Sequence, residues 1–170
     1  NDSVACMAVL PDGDIVIGGE FTTVGGVTRR RLARLNADGT IDLTFVTGTG
    51  FDNTVLTLLL ADDGSGKLYV GGAFNNYNGN VANNLVRLNS NGVRDLSFGT
   101  GAGFNNTVFH VVPVGDGSGD LYVGGAFNGY NGLQGNEVVR LNQNGTMDLA
   151  FSTGAGFSNT VFRIAPVADG

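Results

Sequence analysis

Three arginines, Arg34, Arg87 and Arg140, each stand eight residues ahead of an aspartate: Asp42, Asp95 and Asp148. A guanidinium and a carboxylate at that spacing can pair, or the guanidinium can cap turn carbonyls, since charge is rarely buried unpaired. An active centre needs one constellation, whereas a pair present in every copy of a unit solves a problem that every copy has. These six residues are therefore read as structural. Asp116, Ser118 and Asp120 place oxygens at the first, third and fifth positions of Asp116-Gly117-Ser118-Gly119-Asp120, as a Ca²⁺ loop would. The twelfth position, where a bidentate Glu should close the loop, is Phe127, and the aligned loop upstream has Lys67 in place of Asp120. A hairpin connection is the favoured reading, and neither metal nor cofactor is expected. His110 is the only histidine and shares a column with Cys6, Thr57 and Arg163 in otherwise apolar segments. That column could face a ligand, or could simply be partly solvated. No Ser/His/Asp set can be assembled around His110. Glu20 and Glu137 sit at non-equivalent places, which argues against a paired-carboxylate hydrolase. The chain reads as not an enzyme.

Composition narrows the function classes further. At 170 residues and 42% hydrophobic, the chain can bury roughly 70% of its unfolded surface. A net charge of −6 argues against a nucleic-acid partner, which needs a basic face. The one basic run, Arg29-Arg30-Arg31, becomes Ala82-Asn83-Asn84 and Gly135-Asn136-Glu137 in the other copies, so its charge is a property of one loop. Its default reading is a solvated strand entry, with a partner-recognition loop as the sharper alternative. One cysteine excludes an internal disulfide framework and a thiolate cluster. No apolar run is long enough to insert in a membrane as a helix. Asn105-Asn106-Thr107 and Asn144-Gly145-Thr146 fit the glycosylation pattern, but such matches arise readily in an Asn-rich chain.

The elements that position these residues repeat. Gly18-Gly19 returns as Gly71-Gly72 and Gly124-Gly125; Phe21 returns as Phe74 and Phe127; Phe45 as Phe98 and Phe151. The whole of 1–170 is read as a single repeat region, with units at about 2–52, 53–105 and 106–158 and a fourth beginning at 159–170. Each unit predicts four short antiparallel strands, exemplified by Val55–Leu60, Leu68–Val70, Asn84–Asn89 and Val93–Phe98, with Gly/Asp/Asn turns between them. Glycine, 29 of 170 residues, interrupts nearly every window long enough for a helix. The fold class is all-β. Four antiparallel strands at a period of 53 match a β-propeller blade, and the count is about three and a quarter blades. The two sets Phe45, Phe98, Phe151 and Phe51, Phe104, Phe157 are expected to pack between blades. A closed propeller needs about 4–8 blades. The expectation is therefore part of a longer array, or chains that assemble with further blades to complete a ring.

Pro11-Asp12-Gly13-Asp14-Ile15-Val16-Ile17-Gly18-Gly19-Glu20-Phe21, followed by Leu32-Ala33-Arg34-Leu35-Asn36-Ala37-Asp38-Gly39-Thr40-Ile41-Asp42 and Phe45, resembles the delta-60 repeat of bacterial β-propeller proteins. The likeness covers the chain three times over. It implies a blade within large secreted or cell-surface proteins, and it carries no catalytic residues to transfer. The function expected is a non-catalytic structural or adhesive module at the cell surface or outside the cell, with a protein or glycan as partner. The alternative is a glycan- or peptide-binding propeller that uses the Cys6, Thr57, His110, Arg163 column and the loops.

Overall fold

A computed structural model describes residues 2–166. The described residues contain no helix, and every strand pair is antiparallel. The first repeat holds β1 (Val4–Val9), β2 (Ile15–Gly19), β3 (Thr23–Val24), β4 (Val27–Thr28) and β5 (Leu32–Leu35). The second holds β6 (Val55–Leu60), β7 (Leu68–Gly72), β8 (Asn76–Tyr77), β9 (Asn80–Val81) and β10 (Leu85–Leu88). The third holds β11 (Val108–Pro113), β12 (Leu121–Gly125), β13 (Gly129–Tyr130), β14 (Leu133–Gln134) and β15 (Val138–Leu141). In each repeat the second long strand is central, giving the orders β1-β2-β5, β6-β7-β10 and β11-β12-β15. The short pairs β3-β4, β8-β9 and β13-β14 form separate hairpins between the second and third long strands.

The outermost strand of each blade is shorter than the sequence pattern suggests. It is reduced to one bridge per repeat: Leu35 with Ile41, Leu88 with Arg94, and Leu141 with Met147. The next residue is the repeated aspartate, whose side chain turns the backbone. Asp95 Oδ1 accepts from the Ser97 amide at 3.0 Å, and Asp42 Oδ1 accepts from the Thr44 amide at 2.7 Å. This Asx turn directs the chain toward the next blade instead of along the sheet. In the fourth copy, Val161–Pro166 forms no ladder, although the Val161 amide donates to Gly125 O at 3.0 Å. Residues 167–170, the rest of that expected unit, lie outside the described residues.

The glycine pairs answer two separate steric demands. In all three blades the innermost strand carries a bulge, so that Val4 faces Gly19 but Cys6 faces Gly18, and likewise at Val55/Thr57 and Val108/His110. The bulged backbone crowds the second glycine: a Cβ on Gly72 would lie 2.2 Å from Thr54 O. The first glycine is crowded from the neighbouring blade, since a Cβ on Gly18 would sit 2.5 Å from Val55 Cγ1 and one on Gly71 2.8 Å from Val108 Cγ1. The pair therefore sets both the bend of its own sheet and the approach of the next.

Two apolar clusters lie between blades, and a third, around Ile17, Phe21 and Ala33, belongs to the first repeat alone. One cluster joins Leu10, Val16, Leu32 and Phe45 of the first repeat to Val55, Val70, Phe74 and Leu88 of the second. Another joins Tyr69, Leu85 and Phe98 to Val108, Phe127 and Leu141 of the third. Phe45, Phe51, Phe98 and Phe104 are buried in these seams, with Phe51 4.3 Å from Phe74 and Phe104 4.3 Å from Phe127, centroid to centroid. A blade with a neighbour on each side is apolar on both faces, which is why β6 reads as a continuous apolar run.

Candidate functional site

The repeated arginines are the hubs of three polar nodes at the blade rims. Arg34 Nη2 lies 2.7 Å from Asp14 and 2.9 Å from Asp12, while its Nε is 3.5 Å from Asp42. Arg140 repeats the pattern, 2.8 Å from Asp120, 3.2 Å from Asp116 and 3.5 Å from Asp148. The second blade differs because Lys67 stands where Asp14 and Asp120 stand. Arg87 there turns to Asp95 at 2.8 Å, and Lys67 meets the same carboxylate at 3.0 Å. Burial alone would raise the Asp95 carboxyl, but bonds from Ser97 and Lys67 and the charge of Arg87 outweigh it and hold it well below the carboxylate range. Arg87 also donates to Tyr69 Oη at 3.2 Å and to Gln143 O of the third blade at 2.9 Å, and it lies 4.9 Å from the centroid of the Phe98 ring. The repeated arginine thus pairs within its blade and caps a turn of the next.

Asp116, Ser118 and Asp120 do not form a cation loop. Asp116 Oδ1 accepts the Ser118 amide at 2.9 Å, Ser118 Oγ accepts the Asp120 amide at 3.1 Å, and Asp120 Oδ1 accepts the Gln143 amide at 3.0 Å. The remaining carboxylate oxygens face Arg140, whose positive charge stands where a bound cation would have to approach. Among the described residues no group of three His, Cys, Asp or Glu side chains could hold a metal ion.

The column of Cys6, Thr57, His110 and Arg163 lies along the seam of successive innermost strands. Cys6 packs against the first interblade core, and its Sγ is 4.0 Å from Val55 O; burial pushes its thiol up to about 12. Thr57 is only 5% exposed. His110 Nδ1 accepts the Ile164 amide at 3.2 Å, and burial followed by the Arg163 charge holds its pKa below the usual histidine value. Cys6, Thr57 and His110 thus sit against the next innermost strand, whereas Arg163 is exposed.

A further cavity lies elsewhere. A cleft of about 570 Å³ opens between the second and third blades, lined by Asn75, Asn83, Asn84, Asn105, Asn128 and Gln134 together with glycines, Phe104 and Leu133. Three kinds of element build it: the turns flanking β8-β9, the connector through Gly103, and the β13-β14 hairpin. Several amides are already fixed, because Asn83 Nδ2 donates to Ala102 O at 2.7 Å, Asn84 Nδ2 to Gly72 O at 2.9 Å, and Asn105 Nδ2 to Asn128 Oδ1 at 2.5 Å. Asn105 Oδ1 accepts the amides of Asn128 and Gly129. At the equivalent places of the first two blades stand Arg30, Arg31 and Asp52. Arg31 there donates to Phe51 O at 3.0 Å, so the basic run enters β5 beside the connector to the next blade, with Arg30 exposed. Asp52 accepts the amides of Asn75 and Asn76, as Asn105 does one blade later. Repeat arithmetic groups these positions in columns, but it gave no hint that one copy would be free of charge and open.

A family model described as a domain of unknown function (DUF5122) beta-propeller matches residues 10–45, 64–98 and 117–151. Searches of curated proteins and of solved structures gave no match. The three matched stretches start at or near the first turn of each blade and end near Phe45, Phe98 and Phe151, so they cover the same part of every repeat.

Proposed function

Because the chain belongs to the DUF5122 beta-propeller family, we propose that it works as a non-catalytic structural and adhesive module that stacks with further blades. The observation that carries this is the state of its two end faces. Val55 and Val108, which receive a preceding blade, are 0% exposed, whereas their counterpart Val4 is 49% exposed, and Met7 and Val9 beside it are also open. At the other end Phe157 is 52% exposed, where Phe51 and Phe104 are 1% and 3%. Each end therefore presents one half of an interface that the chain builds twice internally. The occupant that fits is another blade of the same kind, whether in the same chain or in another. In such quasi-linear arrays each added unit contributes one more nearest-neighbour interface.

Fusing a second copy of residues 53–105 ahead of Asp2 tests this. Covering Val4, Met7 and Val9 should slow hydrogen exchange of the β1 amides and raise the melting temperature. Unchanged exchange in β1 would refute stacking.

The non-catalytic part is supported by how the titratable side chains are used: Asp42, Asp95 and Asp116 accept backbone amides, and Cys6 and His110 serve the seams. The likeness to the delta-60 repeat supports a place outside the cell or on its surface, where rigid blades display variable loops. Antibody labelling of intact producing cells checks the location, and confinement to the cytosol would overturn it.

A further inference from the structure

We propose that the cleft between the second and third blades binds a neutral saccharide. The inference gives the adhesive part of the preceding reading a ligand class and a site; the stacking of blades stands without it.

Volume comes first: about 570 Å³ lies within the range of small-molecule sites and holds one or two sugar rings. Chemistry narrows the class. All the lining residues are uncharged, so neither a phosphate nor an ammonium group meets a countercharge there. The lining is instead dominated by carboxamides, each with an acceptor oxygen and a two-proton donor. Vicinal hydroxyls also donate and accept at once, and a pair of them matches such an array better than any group that does only one. The amides are held in advance: Asn83 and Asn84 each use one N–H on a backbone carbonyl, which fixes the orientation of their carboxamides. Asn84 adopts φ +70°, a left-handed conformation that fixes the backbone at the base of the cleft. Gly132 on the far wall, with nothing within 4 Å of the place of a Cβ, leaves room for a ring to approach the backbone. Leu133, 45% exposed, supplies one apolar patch for the face of a sugar. An extended peptide would need a free strand edge or apolar side-chain pockets, and this cleft offers mainly polar groups.

Phe104 is buried and presents no stacking platform, so affinity for a single sugar should be weak, about millimolar, with avidity arising from several modules on one surface. The first seam carries Arg30 and Asp52 at the corresponding positions. Asn105→Asp therefore has a precedent inside the chain and can accept the same two amides, whereas Asn83 holds φ +25° and Arg30 has no positive φ, so Asn83→Arg is read only in the folded variant.

The test is a titration of the isotope-labelled protein by NMR, reading the side-chain amide signals of Asn and Gln. The probes are methyl glucoside, methyl galactoside, methyl mannoside, N-acetylglucosamine and their disaccharides, with glucuronate, glucosamine and trialanine as contrasts. The expected result is saturable shifts of Asn75, Asn83, Asn128 and Gln134 with at least one neutral sugar, weakened at least tenfold in Asn83→Arg. The Asn105→Asp variant should keep a folded spectrum and also bind less. No saturable shift with any neutral sugar, equal binding by the folded Asn83→Arg variant, or a stronger response to trialanine would each overturn the proposal. None of these outcomes touches the β1 exchange result, so failure here and failure of stacking are separable.

Discussion

Replacing Asp95 by Asn keeps the shape of the side chain, and its Oδ1 can still accept the Ser97 amide, but the charge is gone. Arg87 and Lys67 both depend on that carboxylate, at 2.8 and 3.0 Å. Breaking a buried ion pair by removing one partner costs about 3–5 kcal/mol. The asparagine NH2 then stands where Oδ2 met Arg87 and Lys67, but Lys67 is partly exposed and Arg87 keeps Tyr69 Oη and Gln143 O as acceptors, so about 2–3 kcal/mol is expected here. Asp42→Asn is the internal control. Arg34 keeps Asp14 at 2.7 Å and Asp12 at 2.9 Å and is 3.5 Å from Asp42, so the loss should be below about 0.5 kcal/mol. In a chain of this size 1 kcal/mol shifts the melting temperature by about 2–4 °C. Thermal and urea unfolding followed by far-ultraviolet circular dichroism should place Asp95→Asn about 4–12 °C below the parent and Asp42→Asn within about 2 °C. The sign of the pH dependence follows from the depressed Asp95 carboxyl. Its contribution is present above the unfolded-state value near 3.8 and is lost as pH falls below it, so parent and Asp95→Asn should converge in acid. Equal destabilisation by the two substitutions, or a gap that does not shrink as pH falls below the unfolded-state value near 3.8, would refute the charge accounting of the nodes.

Glu137 holds φ +61°, where the second repeat has Asn84 at φ +70°; Glu137→Asn should relieve that strain and stabilise the chain by about 0.5–1 kcal/mol in urea titrations. Gly39 and Gly92 share a positive φ, but a Cβ on Gly39 meets nothing while one on Gly92 would lie 2.7 Å from Val46 O, so Gly39→Ala should cost about 1 kcal/mol and Gly92→Ala about 2–3 kcal/mol or more. Protonating His110 removes the acceptor for the Ile164 amide. Because its folded value is depressed, that contribution is present above about 6.5 and lost as pH falls through the folded value, and exchange at Ile164, corrected for intrinsic rate, should speed up in acid in the parent but not in His110→Thr.

The blade was legible because its determinants recur. Gly-Gly marks the bulge, Asp-Leu with a later Phe marks the exit to the next blade, and the strand between shows apolar residues on both faces. The small hairpins were also written in the chain, as Asn78-Gly79 and Asn131-Gly132, whose φ values are all positive, as a two-residue type I′ turn requires. A reading that treated the stretch between the second and third long strands as one loop passes over that signal. The outermost strand was overdrawn for the opposite reason: Val93–Phe98 has apolar spacing, but the Asx turn at Asp95 ends the pairing after one bridge.

Sequence alone determined the unit, its period and its all-β character, because local turn chemistry and alternation of apolar residues act over a few neighbours and repeat with each copy. Tertiary structure decided where each polar column points. Cys6, Thr57 and His110 look like a row open to a ligand until the next innermost strand is laid beside them, and Asp116, Ser118 and Asp120 look like cation ligands until Arg140 arrives from a strand twenty residues on. The Asn-lined cleft belongs to neither blade that forms it. Its walls come from segments up to 59 residues apart, Asn75 to Gln134, and whether facing side chains leave a space depends on the distance and tilt between two sheets, which no single repeat encodes.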